Sequence, residues 1–186
     1  MFAAEASQEP LPYGRWAEAL GEQFAAVAET SIGDISWFPD RTWAGRTYVP
    51  ATAPAEGGEV FGYVSYTREH EGTQATDFQA AADFTDETAA ENPDWTLDLS
   101  DHEIGHWRGP EGRRGVITLV WGVALVPNGV AATTELGPTT TDQCTLVEDR
   151  FTLVSLDAYT GDYVEVRLYG ADVTELTRES LYEDGE

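Results

Sequence analysis

The sequence predicts a mainly all-β chain: a single jelly-roll sandwich or barrel of about eight strands behind one N-terminal amphipathic helix. Three observations predict it. From residue 59 onward, apolar or alternating stretches recur at roughly ten-residue spacing, punctuated by Pro, Gly, Asn and Asp. One stretch, GVITLVWGVALVPNG, is apolar without interruption from Val116 to Val126 and stops at a Pro-Asn-Gly turn, the pattern of a central strand buried on both faces. Helical spacing is convincing in one place, near the N-terminus.

That place is PLPYGRWAEALGEQFAAVAE, where Trp16, Leu20, Phe24 and Val27 fall at steps of four, four and three on one helical face. Pro12 suits its beginning and Ser31 to Gly33 its end. In EVFGYVSYTRE, Val60, Val64 and Tyr66 face one side of a strand, and Phe61 and Tyr63 the other. TDFQAAADF repeats the period through Phe78, Ala80, Ala82 and Phe84, and WTLDL through Trp95, Leu97 and Leu99. After the central strand come VAATTEL, the polar loop GPTTTDQ, CTLVEDRFTLVSL, the turn AYTGD and YVEVRLYGADV. In the last, Val164, Val166 and Leu168 alternate against Tyr163, Glu165, Arg167 and Tyr169, so one face is wet. The expected layout is one domain over 1–186: an arm and helix at 1–34, a long Pro-rich loop YVPATAPAEGGE at 48–59, a strand core at 59–170, and a tail at 171–186 that forms a last helical turn before loose final residues.

The chain has 186 residues with 34 Asp plus Glu against ten basic residues, all of them Arg, for a formal charge of −24. A surface this acidic repels phosphate backbones and anionic lipid, which argues against direct nucleic-acid binding and against simple docking on a membrane. Self-repulsion of this size needs screening, and at molar salt the screening length falls to about 3 Å. A halophilic setting suits the composition. No run of 18 apolar residues predicts a spanning segment, and MFAAEASQEP has neither the basic nor the apolar part of a secretory signal, so synthesis in the cytoplasm is expected.

HEIGH, His102 to His106, spells the HExxH pattern of zinc metalloproteases. Zinc hydrolysis needs both imidazoles on one helical face, the intervening Glu103 near a metal-bound water, and a third ligand. Gly105 weakens a helix here and Gly109-Pro110 ends it. Gly112 stands where a metzincin's third ligand would be, and the one Met is Met1, so no Met turn follows. Glu175, Glu179 and His70 are the remaining third-ligand candidates. The expected state is solvated Asp101, His102, Glu103, His106 and Arg108 with Ile104 and Trp107 turned inward, hence no catalytic residues, no cofactor, and no metal site unless His102 and His106 hold an adventitious or structural cation.

Asp77, Asp83, Asp86 and Glu87 form an acidic stretch of the kind that is usually a solvated face but can hold a cation. Trp37, Phe38 and Trp43 suit either a core or a sugar-stacking platform, which keeps a carbohydrate-binding sandwich open beside the hydrolase. Cys144 has no internal partner in a chain with one cysteine. It reads as a small buried apolar residue or as a bridge to a neighbouring subunit.

Length, acidity, the aromatic-bearing helix at 13–29 and the strands from 59 to 169 together resemble the smaller of the two major capsid proteins of icosahedral, internal-membrane viruses that infect halophilic archaea. The resemblance implies a single upright jelly roll, self-association and pairing with a second capsid protein in capsomers, a place in the virion shell close to an internal viral membrane, and Cys144 as an intersubunit disulfide candidate. It implies a structural protein and not an enzyme. In such a shell Trp16, Trp37, Trp43 and Trp107 are expected near contacts.

Overall fold

A computed structural model describes residues 10–68, 75–109, 114–156 and 164–181, with Ala4 and Gly112. Among these residues it contains one helix and twelve strands, so the expectation of a mainly β chain with a single N-terminal helix holds. The strands are distributed differently from one jelly roll running through the chain. They form two compact units, one over Glu5–Asp94 and one over Trp95–Glu186 together with Met1–Ala4.

In the first unit, helix α1 (Gly14–Val27) is followed by β1 (Ser36–Trp37), β2 (Arg41–Trp43), β3 (Arg46–Ala55), β4 (Gly58–Arg68) and β5 (Ala75–Thr85). The strands make one antiparallel sheet in the order β1-β3-β4-β5, with β2 also on β3. Leu20 and Phe24 of the predicted helical stripe are fully buried, and Trp16 packs edge-on against Tyr66 with centroids 5.1 Å apart. They cover Val60, Val64 and Tyr66, the face that the two-residue period picked out, together with Val49, Ala51 and Ala53 of the neighbouring strand. Trp37 is 8% exposed and packs on Phe24 inside this core, so it is not available for subunit contact. Trp16, Trp43 and Trp107 are half-buried.

The Pro-rich 48–59 segment is not a loop: most of it is strand β3, and the strand core therefore begins at Ser36 instead of 59. Backbone direction explains why two prolines are tolerated. Phe38 N–H donates to the Pro50 carbonyl at 3.0 Å and Gly33 N–H to the Pro54 carbonyl at 2.8 Å. In an antiparallel strand a residue's N and C=O point the same way, so both missing N–H groups fall on the side away from β4. No rung to β4 is lost.

The second unit contains β6 (Leu97–Arg108), β7 (Arg114–Ala124), β8 (Ala131–Leu136), β9 (Thr139–Thr145), β10 (Arg150–Leu156), β11 (Val164–Tyr169) and β12 (Glu175–Ser180). Two antiparallel sheets, β10-β7-β6 and β12-β11-β8-β9, share one core made by Leu97, Val120, Ala124, Ala132, Phe151, Leu153, Val166 and Leu168. The chain crosses between sheets after β7, after β9 and after β10. This is a three-on-four Greek-key sandwich, an arrangement of the immunoglobulin-like kind, and it has seven strands where a jelly roll has eight. β7 is buried along almost its whole length, as its apolar run predicts. The tail is strand β12 on the β11 edge and not a helical turn, because β11 offers an open ladder to an extended segment. The turn AYTGD, Tyr163 and residues 182–186 lie outside the described residues.

Gly122 of β7 sets how closely β6 and β10 approach: an added Cβ would run into the Asp98 carbonyl and would lie 3.1 Å from Phe151 Cζ. Gly122→Ala is expected to lower unfolding free energy by about 1–3 kcal/mol through overpacking. Phe24→Ala, which empties the space under the helix, is expected to cost on the order of 3–5 kcal/mol. Chemical denaturation of both variants checks the two values.

Candidate functional site

HEIGH lies in the middle of β6, an uninterrupted strand of 12 residues, and not on a helix. On a strand, residues four apart are separated by about 13 Å, beyond the span of one metal ion. A register shift between Glu103 and Gly105 also changes the alternation. Before it Asp101 and Glu103 are the exposed residues, and after it His106 and Arg108 are. The bulge therefore brings Glu103 and His106 onto one face, with His106 Nδ1 3.0 Å from Glu103 Oε1. It sends half-buried His102 to the opposite side, with Ile104 and Trp107.

The remaining metal candidates are spread out in the same way. Glu175 and Glu179 are on β12, a strand, and His70 lies outside the described residues. Among the described residues no group of three or more His, Cys, Asp or Glu is placed to hold a metal ion. Asp77 pairs with Arg46, whose Nη1 also donates to the Asp77 carbonyl at 2.9 Å. Asp83 is about 20 Å further along β5 by strand rise, and Asp86 and Glu87 lie in the turn that Thr85 closes by accepting from Glu87 N–H at 3.1 Å. Trp37 and Phe38 are buried, which removes two of the three rings of a sugar-stacking platform. Cys144 sits on β9, half-buried against the sandwich core.

Two arrangements were not singled out in the sequence. The first is a groove at the C-terminal end of α1, lined by Ala28, Glu29, Glu56, Val60, Asp83 and Phe84 among others. Its lining mixes the carboxyl side chains of Glu29, Glu56 and Asp83 with apolar residues. The second is a charge network on the outer face of the four-stranded sheet. Arg167 reaches Glu165 Oε2 at 2.8 Å, Glu135 Oε2 at 3.2 Å and Glu175 Oε2 at 3.6 Å. Arg178 Nε donates to Glu175 Oε1 at 2.8 Å, while Thr133 and Tyr169 hydroxyls both reach Glu135 Oε1 at 3.3 Å. Glu135 is 9% exposed and stands opposite Glu165 in the ladder, so two carboxylates share one guanidinium. The hydrogen bond that Arg167 donates to Glu165 outweighs the opposing effect of burial and, with the neighbouring carboxylates, pushes the guanidinium pKa up from its ordinary value. The alternation around 163–169 marked this face as wet, but nothing local to Arg167 pointed to Glu135, 32 positions away.

Comparison with known protein families, with curated proteins and with solved structures finds no match. The geometry defines a class on its own: two acidic, antiparallel β units in which the conspicuous charged side chains are engaged in ion pairs across the sheets.

Removing the hub of the network leaves Glu135 covered and uncompensated. Arg167→Met is expected to destabilise the protein by about 2 kcal/mol, and Glu135→Gln in the same background to recover part of it, measured as a double-mutant cycle. On β6, burial pushes the Asp98 carboxyl up. The folded state therefore holds that proton more tightly than the unfolded state, and ionisation weakens folding as pH rises through the folded pKa. Asp98→Asn is expected to raise the melting temperature at neutral pH, and the gain should fade as pH falls through that range.

Proposed function

We propose that this chain is a structural subunit that assembles in concentrated salt. Specifically, it is a major capsid protein of an icosahedral virion, associating with itself and with a second capsid protein. The observation that supports this reading best is the combination of closely packed antiparallel β units with 34 carboxylates against ten Arg. Such units form stiff building blocks, and their charge lets identical copies approach only when salt screens them. In this reading the protein is not an enzyme and needs no cofactor, its place is the shell above an internal viral membrane, and it touches no nucleic acid. Cys144, half-buried on the edge strand β9, is the residue through which an intersubunit bridge would form. No helix among the described residues is long and apolar enough to cross a membrane.

The strand setting of HEIGH, where the β6 bulge turns its two imidazoles to opposite faces, supports the structural reading over a hydrolase.

Assembly should be salt-dependent: light scattering coupled to size exclusion is expected to show monomer at low salt and oligomers at molar KCl. Quantitative mass spectrometry of purified virions is expected to find hundreds of copies per particle. A chain that stays monomeric at every salt concentration and is absent from particles would defeat the reading.

A further inference from the structure

We infer that β5 is a self-pairing edge, joining two copies of this chain into one continuous antiparallel sheet about a two-fold axis through Ala81. This deepens the assembly reading above and rests on it, by naming the surface through which copies meet.

The other sheet margins are blunted. β1 and β2 are two and three residues long. β6 carries a bulge and the charges of Asp98, Asp101, Glu103 and Arg108. On β10 the Val154 N–H is already taken by Asp142 Oδ2 at 2.9 Å. β9 and β12 are short, at seven and six residues. β5 has 11 residues at the end of its sheet, with no Pro and no Arg; its own register shift, opposite Ser65/Thr67, falls at its start, where Asp77 has a φ of 52°, and leaves 79–85 in regular register with Phe84 50% exposed. Long, unguarded edges of this kind template pairing with another chain.

The backbone direction fits. Ser65 Oγ donates to the Gln79 carbonyl at 3.4 Å, and a Cβ added to Gly62 would run into the Ala81 carbonyl, so the odd-numbered carbonyls point to β4. The N–H and C=O groups of Ala80, Ala82 and Phe84 then face outward.

The sequence selects a second copy as the occupant, because F-Q-A-A-A-D-F at 78–84 is nearly symmetric about Ala81. Antiparallel pairing about that residue sets Ala80 opposite Ala82 and Phe78 opposite Phe84 of the second copy, all on the helix-covered face. Exposed Phe84 thereby comes to rest beside Phe78 and Trp16, whose rings already lie 6.2 Å apart. On the other face Gln79 stands opposite Asp83, and its amide donates to that carboxylate twice per dimer. A two-residue slip in one direction instead sets Asp77 against Asp83, like charge on like, so the register is specified. The contact is isologous and closes as a dimer.

The test uses the full chain in sedimentation equilibrium at moderate and molar salt. Gln79→Asp, at an exposed position, puts like charges opposite each other twice and is expected to weaken dimerisation roughly tenfold. Gln79→Arg at the same position faces Asp83 and is expected to tighten it. Ala82→Pro removes an outward N–H without touching the β4 ladder and is expected to abolish the dimer. Oligomers that ignore all three changes overturn the β5 contact and leave assembly through another surface standing. A wild-type chain that remains monomeric in every salt overturns both.

Discussion

In an extended chain each side chain can face only one side of its sheet, and both cores of this protein rest on that restriction. Val60, Val64 and Tyr66 must point toward α1 if Phe61 and Tyr63 point away, and Val166 and Leu168 enter the sandwich because Glu165, Arg167 and Tyr169 leave it. A one-residue slip would put Glu165 and Arg167 into the apolar interior, which costs far more than any rung of the ladder returns. The hydrophobic pattern thus fixes register, and register decides which charges become neighbours. Where the rule is broken, at the Glu103/Gly105 shift, the consequence is chemical: His106 Nδ1 comes within 3.0 Å of Glu103 Oε1 on one face and the second imidazole is carried to the other.

With more than three carboxylates for each Arg, pairing cannot be one to one. Arg167 serves Glu165, Glu135 and Glu175 together, and Arg178 supports the same group. Arg46 reaches from β3 past β4 to Asp77 on β5, and its Nη1 also meets Ser65 on the way. Guanidinium is suited to this sharing because its planar fork directs several donors at once, which an ammonium cannot do. Carboxylates in such excess over guanidinium groups repel one another, so the composition makes folding respond to ionic strength.

The same acidic side chains also act at the sheet margins. Asp142 is almost buried and accepts from the backbone N–H groups of both Gln143 and Val154, so an acidic side chain closes the β10 margin where one might expect an open one. Charge and bulging do the same for β6. With most strand margins guarded and a long one almost free of charge over 78–82, the places where another strand could add to these sheets are few.

The sequence by itself determined what depends on near neighbours: the helical stripe of Trp16, Leu20 and Phe24, the inward and outward faces of β4, β5 and β11, and the two-sided burial of β7. Periodicity carries this information because it reflects backbone geometry within a few residues. What depended on distant partners was legible only in the tertiary structure. Pro50 and Pro54 read as a loop until the side of β3 facing away from β4 was known. The 175–180 segment read as helical until β11 supplied its ladder, and Glu135 was an ordinary acidic residue until β8 came beside β11. The separation into units after Asp94 and the three-on-four connectivity belong to the same group. Each is decided by which strands pair across long stretches of chain, and a ladder's partner is chosen by the burial of whole faces, which no single stretch of sequence contains.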